Sequence, residues 1–210
     1  MRKYIYFSLI VLMFITNLLL ILKIQSLNRV EQLGKLSKNI NEIYYEKSMV
    51  EKENENLEMS KSLKLLDMKG DTILAKDIFN KKKLVFRYSI LNCSDCVNAE
   101  FEVLIKEFLS NKSNIENVCL LAYYENTRGL VVDYRKFKEK NIDIQMYILP
   151  INQFHIPIEI KNLPYYFTTD SSLTMHDFFI PMKERPDWSI SYLRLILQNY
   201  FKLERFNKYN

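Results

Sequence analysis

Two cysteines two residues apart, in Cys93-Ser94-Asp95-Cys96, are the residues of this chain best placed to do chemistry. At that spacing on the first turn of a helix, two sulfurs can close into a disulfide or open to a dithiol with little backbone motion. The chemistry would be thiol–disulfide exchange. Unpaired N–H groups and the helix dipole would favour a thiolate at Cys93, the attacking species, and Cys96 would then displace the partner from the mixed disulfide. A metal is the other common use of such a pair. Zinc needs about four ligands, and beyond the pair the chain offers only Cys119, His155 and His176, none in a paired spacing, so no metal site is assigned. The two histidines leave copper open, because thiolates suit it. A serine hydrolase lacks its Gly-x-Ser-x-Gly elbow, and Ser89, four positions before Cys93, does not reproduce a peroxidase context. Cys119 lies in the apolar run Val118-Cys119-Leu120-Leu121-Ala122 and reads as a small buried hydrophobe.

The elements around the pair follow from hydrophobic periodicity. Leu84–Leu91 is a continuous apolar run with one intrusive charge, Arg87, the pattern of a central strand covered on both faces. Cys96–Leu109 places Val97, Phe101, Leu104, Ile105 and Phe108 on one helical face. Upstream, Leu63–Met68 and Thr72–Leu74 form a hairpin with Gly70 in its turn, and Ala75–Phe79 makes one helical turn. Downstream come a strand over Asn117–Tyr124, a helix over Arg128–Lys138 and alternating Ile142, Ile144, Met146 and Ile148. Two strands follow, Tyr165–Thr169 and Met175–Phe179, and a helix over Trp188–Phe201 closes the order. The succession β-β-β-α-β-α-β-β-β-α predicts an α/β domain, a central mixed sheet with helices on both faces.

With 48% hydrophobic and 13% aromatic residues, the chain is rich enough to pack a core rather than remain disordered. Its three glycines exclude a glycine-rich phosphate loop. The net charge of +5 is dispersed, with no basic stripe interleaved with aromatics, so no nucleic-acid partner is expected. The N-terminus is different. Arg2 and Lys3 precede an apolar run from Tyr4 to Leu22, long enough as a helix to span a hydrocarbon core about 30 Å thick. No small-residue cleavage site or lipobox follows, so residues 1–23 are expected to be an uncleaved signal anchor in the lipid bilayer. Arg2, Lys3 and the α-amino group favour a cytoplasmic N-terminus, partly opposed by Lys23, Arg29 and Lys35. From Leu33, positions Leu36, Ile40, Ile43, Lys47, Val50, Asn54 and Leu57 step by alternating fours and threes, a heptad seam. Residues 24–61 are therefore expected to be a helical stalk, either one solvated helix or a parallel coiled coil that makes a homodimer. Glu51, Glu53, Glu55 and Glu58 suit its solvated face.

The CxxC that opens the first long helix, the element order, and the late Leu163-Pro164 before a strand together resemble the thioredoxin superfamily. The likeness is to membrane-tethered TlpA-like thiol–disulfide oxidoreductases, of the divergent Bacteroides-type kind, and covers about Leu63–Phe201. It implies a thioredoxin-like domain over residues 62–204, with 205–210 as a tail. Cys93 would be the nucleophile and Cys96 the resolving thiol, their redox-active disulfide needing no further cofactor. Pro164 would be the cis-proline beside the site, receiving an extended substrate segment together with Leu163. Lys69-Gly70 and the segment to Asn80 resemble the N-terminal extension of the TlpA-like branch. Four features depart from the family pattern. Asn92 stands where a Trp is usual, Ser94-Asp95 fill the gap between the cysteines, Arg87 replaces a buried carboxylate or amide, and Glu100 lies one position later than the usual Glu. Arg87, if its guanidinium reached the site, would favour the Cys93 thiolate, and the Asp95 carboxylate would oppose it.

The resemblance thus implies a single-pass protein of the inner membrane with its C-terminal domain in the periplasm. It would exchange disulfides with protein partners, as a reductant, and draw electrons from an upstream membrane donor. A membrane-anchored binding or redox-sensing module with a structural or regulatory CxxC is the alternative.

Overall fold

The computed structural model describes residues 13, 20–25, 42–110, 112–150 and 153–200. Most of the expected anchor and stalk, and the 205–210 tail, lie outside the described residues. Within 1–47, Met13, 20–25 and 42–47 are helical. No helix among the described residues is long and apolar enough to cross a membrane.

A second unit begins at Ser48. Residues 48–53 are helical (α1). There follow β1 (Leu57–Glu58), β2 (Lys64–Leu66), β3 (Thr72–Leu74), α2 (Ala75–Ile78), β4 (Lys83–Ser89), α3 (Ser94–Ser110), β5 (Val118–Tyr123) and α4 (Thr127–Lys138). The rest is β6 (Gln145–Ile148), a 3-10 turn at Pro157–Lys161, β7 (Tyr165–Thr169), β8 (Thr174–Phe179) and α5 (Pro186–Tyr200). One eight-stranded sheet runs β1-β8-β7-β4-β5-β6-β2-β3. Strands β4, β5 and β6 are parallel, and β7 and β8 return antiparallel on the other side of β4. Every residue of β4 is buried, as its apolar run requires of a strand with neighbours on both edges. The expected strand over 142–148 is shorter: only Gln145–Ile148 pairs, while Ile142 and Ile144 are buried ahead of it.

The two faces of the sheet are covered differently from expectation. Leu84, Phe86 and Tyr88 belong to a core closed by α3, α4 and α5, all on one face. The crossovers β4–α3–β5 and β5–α4–β6 advance across the sheet in the same direction, and right-handed crossovers then deliver both helices to the same side. Val85, Cys119 and Leu121 face a second core, closed by α2, the 3-10 turn and residues around Met59 and Leu63. Helical cover on that face is reduced to these short pieces.

Residues 48–61, expected in the stalk, instead pack on the domain. Leu57 and Glu58 pair with Met175 and Thr174 of β8, and Val50 and Leu57 pack on the second core. Asn54, read as a polar seam position, is fully buried; its amide donates to the Val50 carbonyl at 2.5 Å and accepts from the Ile158 N–H at 3.2 Å. A seam from Val50 onward is thus used within the chain, because the edge of β8 offers backbone groups that a helix face does not. Gly70 turns the β2–β3 hairpin at φ +91°, where a side chain would be strained. Gly129 lets α4 pass against the Tyr124 ring, where any Cβ would collide.

Candidate redox-active site

Strand β4 ends at Ser89 and α3 begins at Ser94, so the cysteine pair sits where the parallel strand turns into its crossover helix. The turn is held by Asn92. Its side-chain oxygen accepts from the Ser89 N–H at 2.6 Å, and its side-chain amide donates to the Asn162 carbonyl at 2.6 Å. A residue that departs from the family pattern thus ties the cysteine loop to the segment leading into Leu163-Pro164. The Cys93 carbonyl accepts from the N–H groups of Cys96 and Val97, which makes Cys93 the cap of α3.

The two thiols are free and differ sharply in surroundings. Cys93 is exposed and Cys96 partly buried. Hydrogen bonds from the Cys96 thiol, then from the backbone N–H groups of Cys96 and Asp95, and the positive charge of Lys183 hold the Cys93 thiol below its ordinary value. Burial, the hydrogen bond that Cys96 gives to Cys93, and the Cys93 charge push Cys96 up to about 11. These surroundings favour ionisation of Cys93 over that of Cys96. Cys119, on β5, is fully buried and is pushed up to about 12 by that burial.

Arg87 does not assist Cys93. Its side chain points to the face away from α3, because it alternates with Phe86 and Tyr88 along β4. There its guanidinium donates to both carboxylate oxygens of Glu159, at 2.9 and 3.3 Å, and to the carbonyls of Leu149 and Pro150, at 2.8 and 3.2 Å. Both side chains are nearly fully buried, and Tyr165 donates its hydroxyl to the same carboxylate at 2.8 Å. The cation acting on the thiols is instead Lys183, in the loop between β8 and α5. The Asp95 backbone N–H is among the donors that lower Cys93. Glu100 is buried between α3, β7 and α5; its oxygens accept from Tyr166 and Ser189, each at 2.9 Å.

Leu163 is exposed and Pro164 buried, with Asn162 in the left-handed region at φ 50° ahead of them. The Leu163–Pro164 bond, expected to be cis from the resemblance, is trans. A small pocket between the end of β4 and the 159–165 segment brings Asn92 and Leu163 to its lining, with Arg87 and Glu159 also facing it. His176 pairs with Asp170 at 3.5 Å on the β7–β8 hairpin, opposite the start of β4 rather than its end, and His155 is exposed at φ 55°. Among the described residues no group of three His, Cys, Asp or Glu side chains is placed to hold a metal.

Glu159 and Lys183 escaped the sequence reading, and Glu51 and Asn54 were read only as stalk positions. Glu159 left a trace: a lone carboxylate inside Ile158-Glu159-Ile160 mirrors Arg87, the one charge inside the apolar run Leu84–Leu91, and two intrusive charges of opposite sign invite pairing. Lys183 left none, since it sits in a charged loop, Lys183-Glu184-Arg185.

No protein-family model matches this chain, and no curated protein matches it. Solved structures do. A thiol:disulfide interchange protein from Bacteroides sp. shares 13% identity over 74% of this chain and 97% of its own, with a TM-score of 0.46. A putative electron transfer protein from Aquifex aeolicus VF5 shares 14% identity over 67% and 93%, TM-score 0.46. Yeast Sco1 shares 14% over 68% and 96%, TM-score 0.46.

Proposed function

We propose that this chain, whose fold is thioredoxin-like, is a thiol–disulfide oxidoreductase that acts on protein partners. The reading is carried by one observation: the exposed Cys93 caps α3 and receives hydrogen bonds from Cys96 and from the helix's first N–H groups, while Cys96 lies sheltered one turn in. The Cys93 thiolate attacks one sulfur of a partner disulfide. That S–S bond breaks, the partner's other sulfur leaves as a thiolate, and a mixed disulfide forms. Cys96 passes its proton to the departing thiolate and attacks the Cys93 sulfur. The bond between Cys93 and the partner's first sulfur breaks, that sulfur leaves as a thiolate and takes its proton from water, and the partner has gained two electrons while Cys93–Cys96 is oxidised to the disulfide. Asn92 and the Asn162–Pro164 segment border the site where the partner's chain approaches. The direction assigned is that of a reductant, resupplied by a membrane electron donor. Residues 4–22, with Arg2 and Lys3 before them, anchor the chain in the inner membrane and hold the domain in the periplasm.

The first measurement is the reduction potential of the pair in the full chain, equilibrated against glutathione or dithiothreitol. A reversible couple below about −200 mV is the expected result for a reductant. A value well above that assigns an oxidase or isomerase. A pair that never forms a disulfide, or resists reduction until the protein unfolds, removes the exchange reading and leaves an anchored binding module.

A further inference from the structure

The pocket at the end of β4 is bordered by two hydrogen-bond donors that the fold leaves unspent. Ser89 and Arg87 alternate with Tyr88 along the strand and so face the same side of the sheet, away from α3. Both line the pocket, together with Glu159, Asn92 and Leu163. Ser89 is 9% exposed, and its hydroxyl oxygen accepts from the Leu91 N–H at 3.1 Å. The hydroxyl proton has no acceptor among the described residues. A guanidinium carries five N–H groups. Arg87 makes four bonds, to Glu159, Leu149 and Pro150, and only one of them comes from Nη1. The second Nη1 proton likewise has no acceptor among the described residues. A buried donor without a partner is costly, and here two of them border one space.

The pocket has a volume of about 20 Å³, room for one water-sized group. Its walls come from the two loops that the partner's chain approaches. Asn92, the residue before Cys93, donates its amide to the Asn162 carbonyl at 2.6 Å, and Asn162 leads directly into Leu163. The charges of Arg87 and Glu159 cancel, so a carboxylate entering the pocket would lose its water without gaining a net countercharge. A carboxamide is larger than the space. A hydroxyl is a single uncharged atom that accepts from Ser89 or Arg87 and donates to a carboxylate such as Glu159.

We propose that this pocket is a subsite for the hydroxyl of a Ser or Thr flanking the partner's cysteine, with Ser89 as the residue that reads it. The inference rests on Cys93 being the attacking thiol. Asn92 is adjacent to Cys93 in the chain and lines the pocket, so a residue flanking the attacked sulfur lies beside it. An apolar side chain of the same shape leaves the Ser89 proton unpaired and is discriminated against for that reason.

The test follows the reduced full chain through a single turnover with two peptides, acetyl-Gly-Thr-Cys-Thr-Gly-amide and its Val-Cys-Val counterpart. They differ only in a hydroxyl against a methyl on each flank. Each is activated as the mixed disulfide with thionitrobenzoate. Attack of Cys93 on the peptide sulfur breaks that S–S bond and releases thionitrobenzoate, read by its absorbance. Reduced glutathione gives the intrinsic ratio of the two peptides. Relative to that ratio, the wild-type chain should favour the Thr peptide by about threefold or more in second-order rate, the effect of one hydrogen bond. Ser89→Ala should abolish the preference. Because the preference is a ratio, it is independent of the fraction of the variant that folds. A wild-type chain without the preference overturns the subsite, and so does a Ser89→Ala chain that keeps it. A wild-type chain that releases thionitrobenzoate no faster than glutathione from either peptide overturns the exchange reading itself, which separates the two failures.

Discussion

On one face of β4, Leu84, Phe86 and Tyr88 lie under three long helices; on the other, Val85 and Arg87 lie under a short helix, a 3-10 turn and the 48–59 segment. The helical face is held by burial: Phe101 and Leu104 of α3 are 2% and 0% exposed, and Phe86, Phe101, Tyr88 and Phe137 meet as stacked and edge-on rings. The other face needs directional bonds as well. Its covering pieces are too short to bring a wide apolar stripe, so Arg87, Glu159, Tyr165 and Asn54 pin them by charge and hydrogen bonds. Both loops that border the thiols belong to this second, polar-pinned side, whereas the cysteines themselves ride on the helix of the first. The cysteine pair therefore stands on an apolar base beside a rim held by polar contacts.

The largest effect that tests this contrast comes from the buried pair. Arg87→Ala should cost about 3–5 kcal/mol, because it leaves the Glu159 charge buried without its partner. Arg87→Met combined with Glu159→Gln should recover most of that loss, since no charge remains and Tyr165 keeps an acceptor. Urea unfolding of the full chains measures both, and a double variant as unstable as the single would show that the pair is not the pin. Next is Leu104→Ala, which should cost about 2–5 kcal/mol by opening a cavity under α3. The pH profile of Cys93 alkylation in that variant should stay close to wild type in whatever fraction remains folded; a large shift would mean that the helical face tunes the thiol. The smallest effect is at the β7–β8 turn. Asp170 accepts from the Ser172 hydroxyl and from the Ser172 and Thr174 N–H groups, and these bonds hold its carboxyl below its ordinary value of 3.8. A depressed carboxylate contributes stability that is present above the unfolded value and lost as pH falls through the folded one. Wild type should therefore lose more stability than Asp170→Asn between pH 7 and pH 3, by less than about 1 kcal/mol because the group is solvent-exposed and screened. Equal losses would remove Asp170 from the account.

Much of this was legible in the sequence, for physical reasons that differ by element. The strand over 84–89 and the helix over 96–109 were readable because each buries a face whose period the sequence shows directly. The hairpin was readable from Gly70, and Cys93–Cys96 from a spacing that needs only a local helix start to become useful. Residues 48–61 were placed in the stalk because Val50, Asn54 and Leu57 satisfy a heptad as well as they satisfy a docked edge; the register of β1 against β8 depends on residues more than 110 positions away. Arg87 could be recognised as an intruder in an apolar strand, but Glu159 lies 72 residues on, and nothing local says which way either side chain turns.

What the sequence by itself determined is the closely spaced cysteine pair, the strand-to-helix turn that presents it, and the alternation of β and α elements that places such a turn at the end of a parallel strand. These are properties of near neighbours, governed by backbone geometry and side-chain period. Only the tertiary structure decided which carboxylate neutralises Arg87, that Leu163–Pro164 is trans, and that residues 57–58 close the edge of the sheet. Those are contacts between residues distant in the chain, and each is settled by which buried polar group finds a partner once the sheet has formed.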